Sequence, residues 1–444
     1  MKAVDAALKS ILPVTAAVND AGHLAIGGCD AVELVQRFDT PLYVFDEETL
    51  RGRCRELQSE FQRRYPDTLV IYACKAYIGR GLAAILAEEG LGADIVTGGE
   101  LGILASVGFP ADRIYFHGNN KSPKEIWEAL EYGVHRIVVD NFHELQLLNQ
   151  LAGDMGKRQQ ITLRVSPDVD PHTHDKTTTG VLDSKFGIPI TTGQAEMAVR
   201  LAQEASNLEL VGLHCHLGSP IFELEPYAEA IDIIFAFAHR MTAQHGLQLR
   251  EFSPGGGFAV QYLEEQPAPS IAEYAEAIVS AVQKSAQDYE LPLPSLVIEP
   301  GRSVVAQAGV ALYTVGASKD IPGLRRYVSV DGGMADNIRP ALYGSRYSAL
   351  VANKLSDPRR ERVTVAGKYC ESGDMLLKDI ELPPLEPGDV IAMPAAGAYA
   401  PSMASNYNAA LKPAIVLVKD GQARLLRRRE TYEDLTRCDV WPLE

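Results

Sequence analysis

Short runs of β-branched and apolar residues recur through the middle of the chain, and segments with helical periodicity separate them. The runs are Leu69 to Cys74, Ala93 to Val96, Arg113 to Phe116, Arg136 to Val139, Ile161 to Val165, Leu210 to His214, Arg250 to Ser253 and Leu296 to Ile298. Between them lie GLAAILAEE from Gly81, ELGILASVG from Glu100, KEIWEALEYG from Lys124, AEMAVRLAQEA from Ala195 and IAEYAEAIVSAVQKSA from Ile271. These place apolar residues along one face of a helix. Eight strand-and-helix units over roughly 230 residues predict an α/β fold, a (β/α)8 TIM-type barrel. A doubly wound open sheet is the alternative that alternation alone also permits.

From about Val304 the alternation stops. Strand-like runs follow, broken by Gly, Pro and Asp: VALYTVGA, RYVSVDG, RVTVAGKYC, DVIAMPA and AIVLVKDGQARLL. They predict a second, mostly β domain, a sandwich or barrel. The N-terminal patterns VTAAVND, HLAIGG and PLYVF are assigned to the same domain. The expected division is a barrel over 46–300 and a β-domain made of 1–45 with 301–444.

Bulk properties narrow the function classes. A net charge of -16 and the absence of long Lys/Arg runs speak against nucleic acid and anionic membrane as partners. Arg427, Arg428 and Arg429 are a short cluster followed by acids and read as solvated surface. The cysteines at 29, 54, 74, 215, 370 and 438 contain no CxxC pair and fit neither a disulfide framework nor a zinc site. No apolar stretch approaches ~18 residues, and the N-terminus has no signal-peptide core. The expectation is a cytoplasmic protein.

In a barrel of this kind, chemistry sits where strands end. Lys75 follows the first run, Asp94 lies in the second, and Glu100 opens the helix after it. His117 and Asn119 follow the third, and Arg164 lies in the fifth. His214 and His216 close the sixth (HCHLGS), Gly255, Gly256 and Gly257 follow the seventh, and Glu299, Gly301 and Arg302 end the eighth (EPGR). Lys75 reads as a desolvated amine able to form a Schiff base, or as a lysine snorkelling from a strand end. Glycine loops after the seventh and eighth strands predict a phosphate site. Glu299 suits a protonated pyridine nitrogen, which keeps such a ring an electron sink; an ion pair with Arg302 is the other reading. His216 suits stacking on a flat ring, with the Ser219 hydroxyl on the phosphate. His214 and His216 lack an evident third ligand, and His172 and His174 are isolated, so no metal is expected.

YACKAY, HCHLGS, GGGF, EPGRS, DGGMADNIRPALY, CESGD and AGAYAPSMASNYN occur in the order seen in the diaminopimelate decarboxylases, and the chain resembles that family along nearly its whole length. These are fold-type III pyridoxal-phosphate enzymes, with alanine racemase and ornithine decarboxylase as cousins. The resemblance implies pyridoxal 5'-phosphate held as a Schiff base on Lys75. It implies Asp94, His216, Ser219, Gly255, Gly256, Gly257, Glu299, Gly301, Arg302 and Tyr399 at the cofactor. Arg302, Arg339, Tyr343, Glu371 and Tyr399 are implied at the substrate, and Cys370 as proton donor. It further implies a homodimer in which Cys370 and Glu371 serve the neighbouring subunit's active site.

The implied reaction is decarboxylation of meso-2,6-diaminopimelate to L-lysine and CO2. Charge supports it: Arg302 and Arg339 can grip a distal carboxylate and Glu371 a distal ammonium. A thiol pKa near ~8.5 keeps a cysteine protonated at neutral pH, as a donor requires; an inert half-buried thiol is the other reading of Cys370. The same chemistry on carboxynorspermidine or a siderophore or polyamine precursor is the alternative. A racemase would need a second base, for which Cys370 and Glu371 are poor stand-ins. A non-catalytic relative would be expected to lack Lys75 or Cys370.

Overall fold

Eight parallel strands close on themselves. They are β1 Thr68–Ala73, β2 Gly92–Ile95, β3 Ile114–Phe116, β4 Arg136–Val139, β5 Gln159–Ser166, β6 Leu208–His214, β7 Glu251–Gly255 and β8 Ser295–Ile298. Each pairs in parallel with its successor, and β8 pairs back to β1 through Leu296–Thr68, Val297–Leu69 and Ile298–Val70. The structure is a computed structural model that describes residues 2–3, 6–170 and 179–442. Closure rules out the open-sheet alternative. The chain divides into two compact units, Cys54–Ala259 with Ala268–Ser303, and Met1–Arg53 with Val260–Pro267 and Val304–Glu444.

Local chemistry explains why the barrel helices begin where they do. Ser122 caps Pro123–Tyr132 in a reciprocal capping box with Glu125, and Ser270 does the same for Ile271–Asp288 with Glu273. The long helix Glu225–His245 buries Tyr227, Ile231, Phe235, Ala238 and Met241, at spacings that share one face. Within the barrel, Ile71, Tyr115, Val138 and Val297 form a packed inner cluster. At the N-terminal ends of the strands, the buried Glu251 carboxylate takes hydrogen bonds from Tyr115 (3.0 Å) and Arg136 (3.1 Å). That end is spent on stability, which leaves the C-terminal end for chemistry.

In the other unit, strand Gly309–Ile321 is the spine of the large sheet. It pairs antiparallel with Leu42–Asp46 and Val390–Met393 along its first half. Past an irregularity between Val315 and Ser318, it pairs with Arg325–Val330. The sheet runs outward through Glu361–Ala366 to Met375–Leu382 on one side, and through Ala414–Lys419 to Gln422–Arg427 on the other. Of the N-terminal patterns, only PLYVF enters this sheet. Ala17–Val18 and Leu24–Ile26 join Lys2–Ala3 and Cys29–Asp30 in a small separate sheet. The strand Met375–Leu382 was not foreseen, because its exposed lysine and acids (Lys378, Asp379, Glu381) interrupt the apolar alternation.

Leu42, Val44, Val310, Leu312, Val416 and Val418 form the centre of this unit's core, and Leu312 is wholly buried. Leu312→Ala is expected to destabilise it by about 2–5 kcal/mol. The shift in unfolding midpoint measures this, and a loss below about 1 kcal/mol would mean that the sheet centre is loosely packed.

Candidate active site

The C-terminal ends of the barrel strands gather the predicted polar residues of this unit. Lys75 sits in the tight turn Cys74–Ala76 directly after β1. Its charge acts on Asp94, Glu100 and His216, so its amine faces the end of β2 and the loop after β6. Cys74 and Ala76 are buried while Lys75 is exposed. The sequence left a desolvated amine and a snorkelling lysine both open; the turn lifts this side chain out of the packed layer. Glu100 lies in the first turn of helix Gly98–Ala105 and takes a hydrogen bond from the Val96 N–H at 2.5 Å.

Four titratable side chains crowd together at the ends of β2, β3, β6 and β8. His214 Nε2 donates to Glu299 Oε2 at 3.0 Å, and Ser253 Oγ donates to Glu299 Oε1 at 2.9 Å. His117 Nε2 lies 3.5 Å from Glu299 and 3.7 Å from Asp94. All four are buried. Two carboxylates this close and this dry cannot both hold a charge, and their hydrogen bonds decide between them. Burial and the Glu299 charge push Asp94 well above the ordinary carboxylate range, and its Oδ1 has no hydrogen-bond partner. Burial also opposes charge on Glu299, but His214, through its charge and its hydrogen bond, outweighs it and holds the carboxyl low. Glu299 is therefore the ionised member. Burial keeps His117 and His216 well below the usual histidine range, hence neutral.

The loop after β7 is shaped for close approach. Gly255 and Gly257 have φ of +80° and +102°. A Cβ on Gly257 would stand 2.4 Å from the Gly218 carbonyl oxygen, so only glycine lets these two turns meet. Tyr227 anchors the loop by donating to the Gly256 carbonyl at 2.7 Å. Gly256 N–H donates to His216 Nδ1 at 3.4 Å, which orients the ring. The buried Arg302 guanidinium donates to Ser219 Oγ at 3.2 and 3.3 Å, which joins the loops after β6 and β8. Arg164 packs over the Phe186 ring and lies 3.8 Å from Asp140.

The remaining predicted residues lie in the other unit. Arg339 begins the short helix Arg339–Tyr343 and is buried. Its guanidinium faces the rings of Tyr399, Tyr262 and Tyr343 at 5.3, 5.8 and 5.9 Å. Its Nε has no hydrogen-bond partner, and one terminal nitrogen donates to Ser345 at 3.3 Å. A buried guanidinium with a spare donor is suited to a carboxylate. Tyr399 adopts φ +66°, a strained conformation for a non-glycine residue, and such strain concentrates at functional positions. Cys370 and Glu371 are exposed on a turn whose Cys370 N–H donates to Asn408 at 3.1 Å.

Three features were not evident in the sequence. His214 pairs with His117 and Glu299 rather than with His216, because β6 ends at His214 and His216 lies in the loop beyond. Ligand-type atoms of that trio lie within 4.8 Å of one another, and the His214–Glu299 hydrogen bond accounts for the cluster. Ser253, Tyr227 and Tyr262 act through contacts that no motif marks. His172 and His174 lie outside the described residues.

Pyridoxal phosphate fits the barrel residues. The set supplies an amine beside an acidic strand end, one ionised carboxylate, a neutral imidazole and a glycine cradle that a Cβ would fill. The barrel thus has the make-up of a pyridoxal-phosphate-dependent decarboxylase domain, and the family described as "Pyridoxal-dependent decarboxylase, pyridoxal binding domain" matches residues 50–306. The chain is 44% identical over 426 residues to the diaminopimelate decarboxylase of Bacillus subtilis, covering 96% of this chain and 97% of that protein. It is 45% identical over 444 residues to that of Synechocystis sp., covering 98% and 94%. The solved diaminopimelate decarboxylase from M. jannaschii in co-complex with L-lysine matches with a TM-score of 0.91 at 36% identity, over 96% of this chain and 98% of that one. The chain belongs to the diaminopimelate decarboxylase family.

Asp336 supplies a pH-dependent test of the second unit. It is buried, and it accepts from Tyr313 (2.7 Å) and from the Gly333 N–H (2.9 Å). Burial pushes its carboxyl up to about 7 against the lowering effect of these bonds. An unfolded aspartate titrates near ~3.9. The folded state therefore holds this proton longer, and the contribution is full below pH ~4 and lost as pH rises to about 7. Asp336→Asn is expected to remove that loss, so the variant's melting temperature relative to the parent should rise between pH 5 and 8. A constant difference across that range would contradict the assignment.

Proposed function

We propose that this chain decarboxylates meso-2,6-diaminopimelate to L-lysine and CO2 with pyridoxal 5'-phosphate. The near-full-length match to diaminopimelate decarboxylases, on a barrel that keeps Glu299 ionised, carries this reading. When bound, the cofactor supplies an electron sink for the pair released as CO2 leaves. Lys75 holds it covalently. Glu299 would pair with the protonated ring nitrogen, and His216 would pack on the ring, with Asp94 as a neutral neighbour. Ser219, Gly255, Gly256, Gly257, Gly301 and Arg302 receive the phosphate side.

In this reading Arg302, Arg339, Tyr343 and Tyr399 bind the substrate, Arg339 taking the distal carboxylate. Glu371 takes the distal ammonium, and the Cys370 thiol returns a proton to the carbon that lost CO2. Truncating one partner of such a desolvated pair costs on the order of 2–5 kcal/mol, ample for rejecting simple diamine precursors. We assign the catalytic barrel to 46–300 and the β-domain to 1–45 with 301–444. We also propose a homodimer in which Cys370 and Glu371 serve the neighbouring subunit. Their exposure supports this, since a proton donor to a reactive carbon works best shielded from water. A cytoplasmic location fits the biosynthetic reaction; among the described residues no helix is long and apolar enough to cross a membrane.

The test is CO2 release by the cofactor-loaded protein from meso-diaminopimelate, L-lysine, L-ornithine, L-arginine and carboxynorspermidine in parallel. Release from diaminopimelate alone is expected. Release from another of these instead would leave the cofactor chemistry standing and overturn the roles of Arg339 and Glu371.

A further inference from the structure

The turn that carries Cys370 and Glu371 is tied down by a carboxylate with no role in the reading above. Asp374 is 3% exposed. Its Oδ1 accepts the Met334 N–H at 2.6 Å, and its Oδ2 accepts the Tyr369 N–H at 2.9 Å. Its carbonyl accepts the Gly367 N–H at 2.9 Å, and its N–H donates to the Glu371 carbonyl at 3.1 Å. Two glycines make room for the carboxylate. A Cβ on Gly367 would stand 2.1 Å from Oδ2, and one on Gly333 would stand 2.5 Å from Oδ1.

Other bonds run the same way. Lys368 N–H donates to the Gly332 carbonyl at 3.0 Å, and Tyr369 OH reaches Asp336 at 3.5 Å. Each of these joins the turn to residues 332–336, the segment that leads into Arg339. The carboxylate therefore fixes the Cys370–Glu371 turn against the stretch that places the buried arginine. A turn that only needed to be stable would not require a buried carboxylate that spans two segments at the cost of two obligatory glycines.

We propose that Asp374 is a positioning residue for the reaction, holding Cys370 and Glu371 in one fixed presentation through the Met334 and Tyr369 amides. This rests on the reading of Cys370 as proton donor and Glu371 as the ammonium partner. An asparagine has one acceptor oxygen, so it cannot serve both amides. Displacing reacting groups by about 1 Å can cost on the order of 10²-fold in rate.

The experiment compares the cofactor-loaded parent with Asp374→Asn, Asn408→Gly and Cys370→Ala. It measures kcat and KM for meso-diaminopimelate, cofactor absorbance per chain, and amide hydrogen exchange over 367–374. Asp374→Asn is expected to keep full cofactor content, raise KM, lower kcat by on the order of 10²-fold, and exchange the Tyr369 amide at least tenfold faster. Unchanged kcat and KM alongside faster exchange would overturn the proposal. So would activity that falls only in step with cofactor content, since that marks a merely structural role. Asn408→Gly removes the acceptor of the Cys370 N–H from an exposed position and tolerates the local φ of +52°. It keeps the test decisive if Asp374→Asn fails to fold: a smaller fall in kcat at full cofactor content is expected, and none would overturn the proposal. Cys370→Ala separates the two levels, because near-parent turnover there would sink the underlying reading, whatever Asp374 does.

Discussion

The chemistry proposed for the barrel depends on a negative charge kept where water is scarce. Glu299 ends β8, and two side chains from other strands pin both of its oxygens, His214 and Ser253. A neighbouring carboxylate, Asp94, would ordinarily compete for the charge. It has an unpartnered oxygen and gives way, so only one of the two ionises. This division of roles is what a pyridine-type electron sink requires of its surroundings. It needs no long-range effect, only hydrogen bonds distributed unequally between two buried acids.

The fold serves this arrangement by spending its two ends differently. At the N-terminal ends, Glu251, Arg136 and Tyr115 satisfy one another and lock the strands. At the C-terminal ends, the lysine after β1 and the acids, imidazoles and glycines of β2, β3, β6, β7 and β8 converge. The loops after β6 and β7 can meet only because Gly257 lacks a side chain, and Arg302 then joins the loop after β6 to that after β8 through Ser219. In the other unit the same economy recurs. Arg339 is buried among three tyrosines, and Asp336 and Asp374 tie residues 333–336 to the Cys370 turn.

Much of this was legible in the sequence because barrels put chemistry at one local position, just after each strand. Reading off Lys75, His214, Gly257 and Glu299 needed only strand ends. What was not legible depends on neighbours distant in sequence. His214 shares a strand pattern with His216 yet packs edge-on against His117, a residue from another strand, with ring centroids 4.8 Å apart. Asp374 reads as an ordinary turn aspartate until its oxygens are seen on two backbone amides. The N-terminal patterns VTAAVND and HLAIGG have strand composition, but their strands pair with each other in a small separate sheet rather than entering the large one. For Lys75 the sequence left a desolvated amine and a snorkelling lysine both open, and the tight turn that lifts it out of the packed layer is set by the fold.

The central claim is that Glu299, and not Asp94, carries the working charge. The most direct measurement is turnover of Glu299→Gln and Asp94→Asn, with cofactor occupancy followed by absorbance in each. The account predicts that Glu299→Gln still binds cofactor but loses on the order of 10²–10³-fold in kcat, the scale expected when one preorganised electrostatic partner is removed. It predicts that Asp94→Asn, which replaces an already neutral group, stays within about tenfold of the parent. Near-parent turnover in Glu299→Gln, or a larger loss in Asp94→Asn, would contradict it.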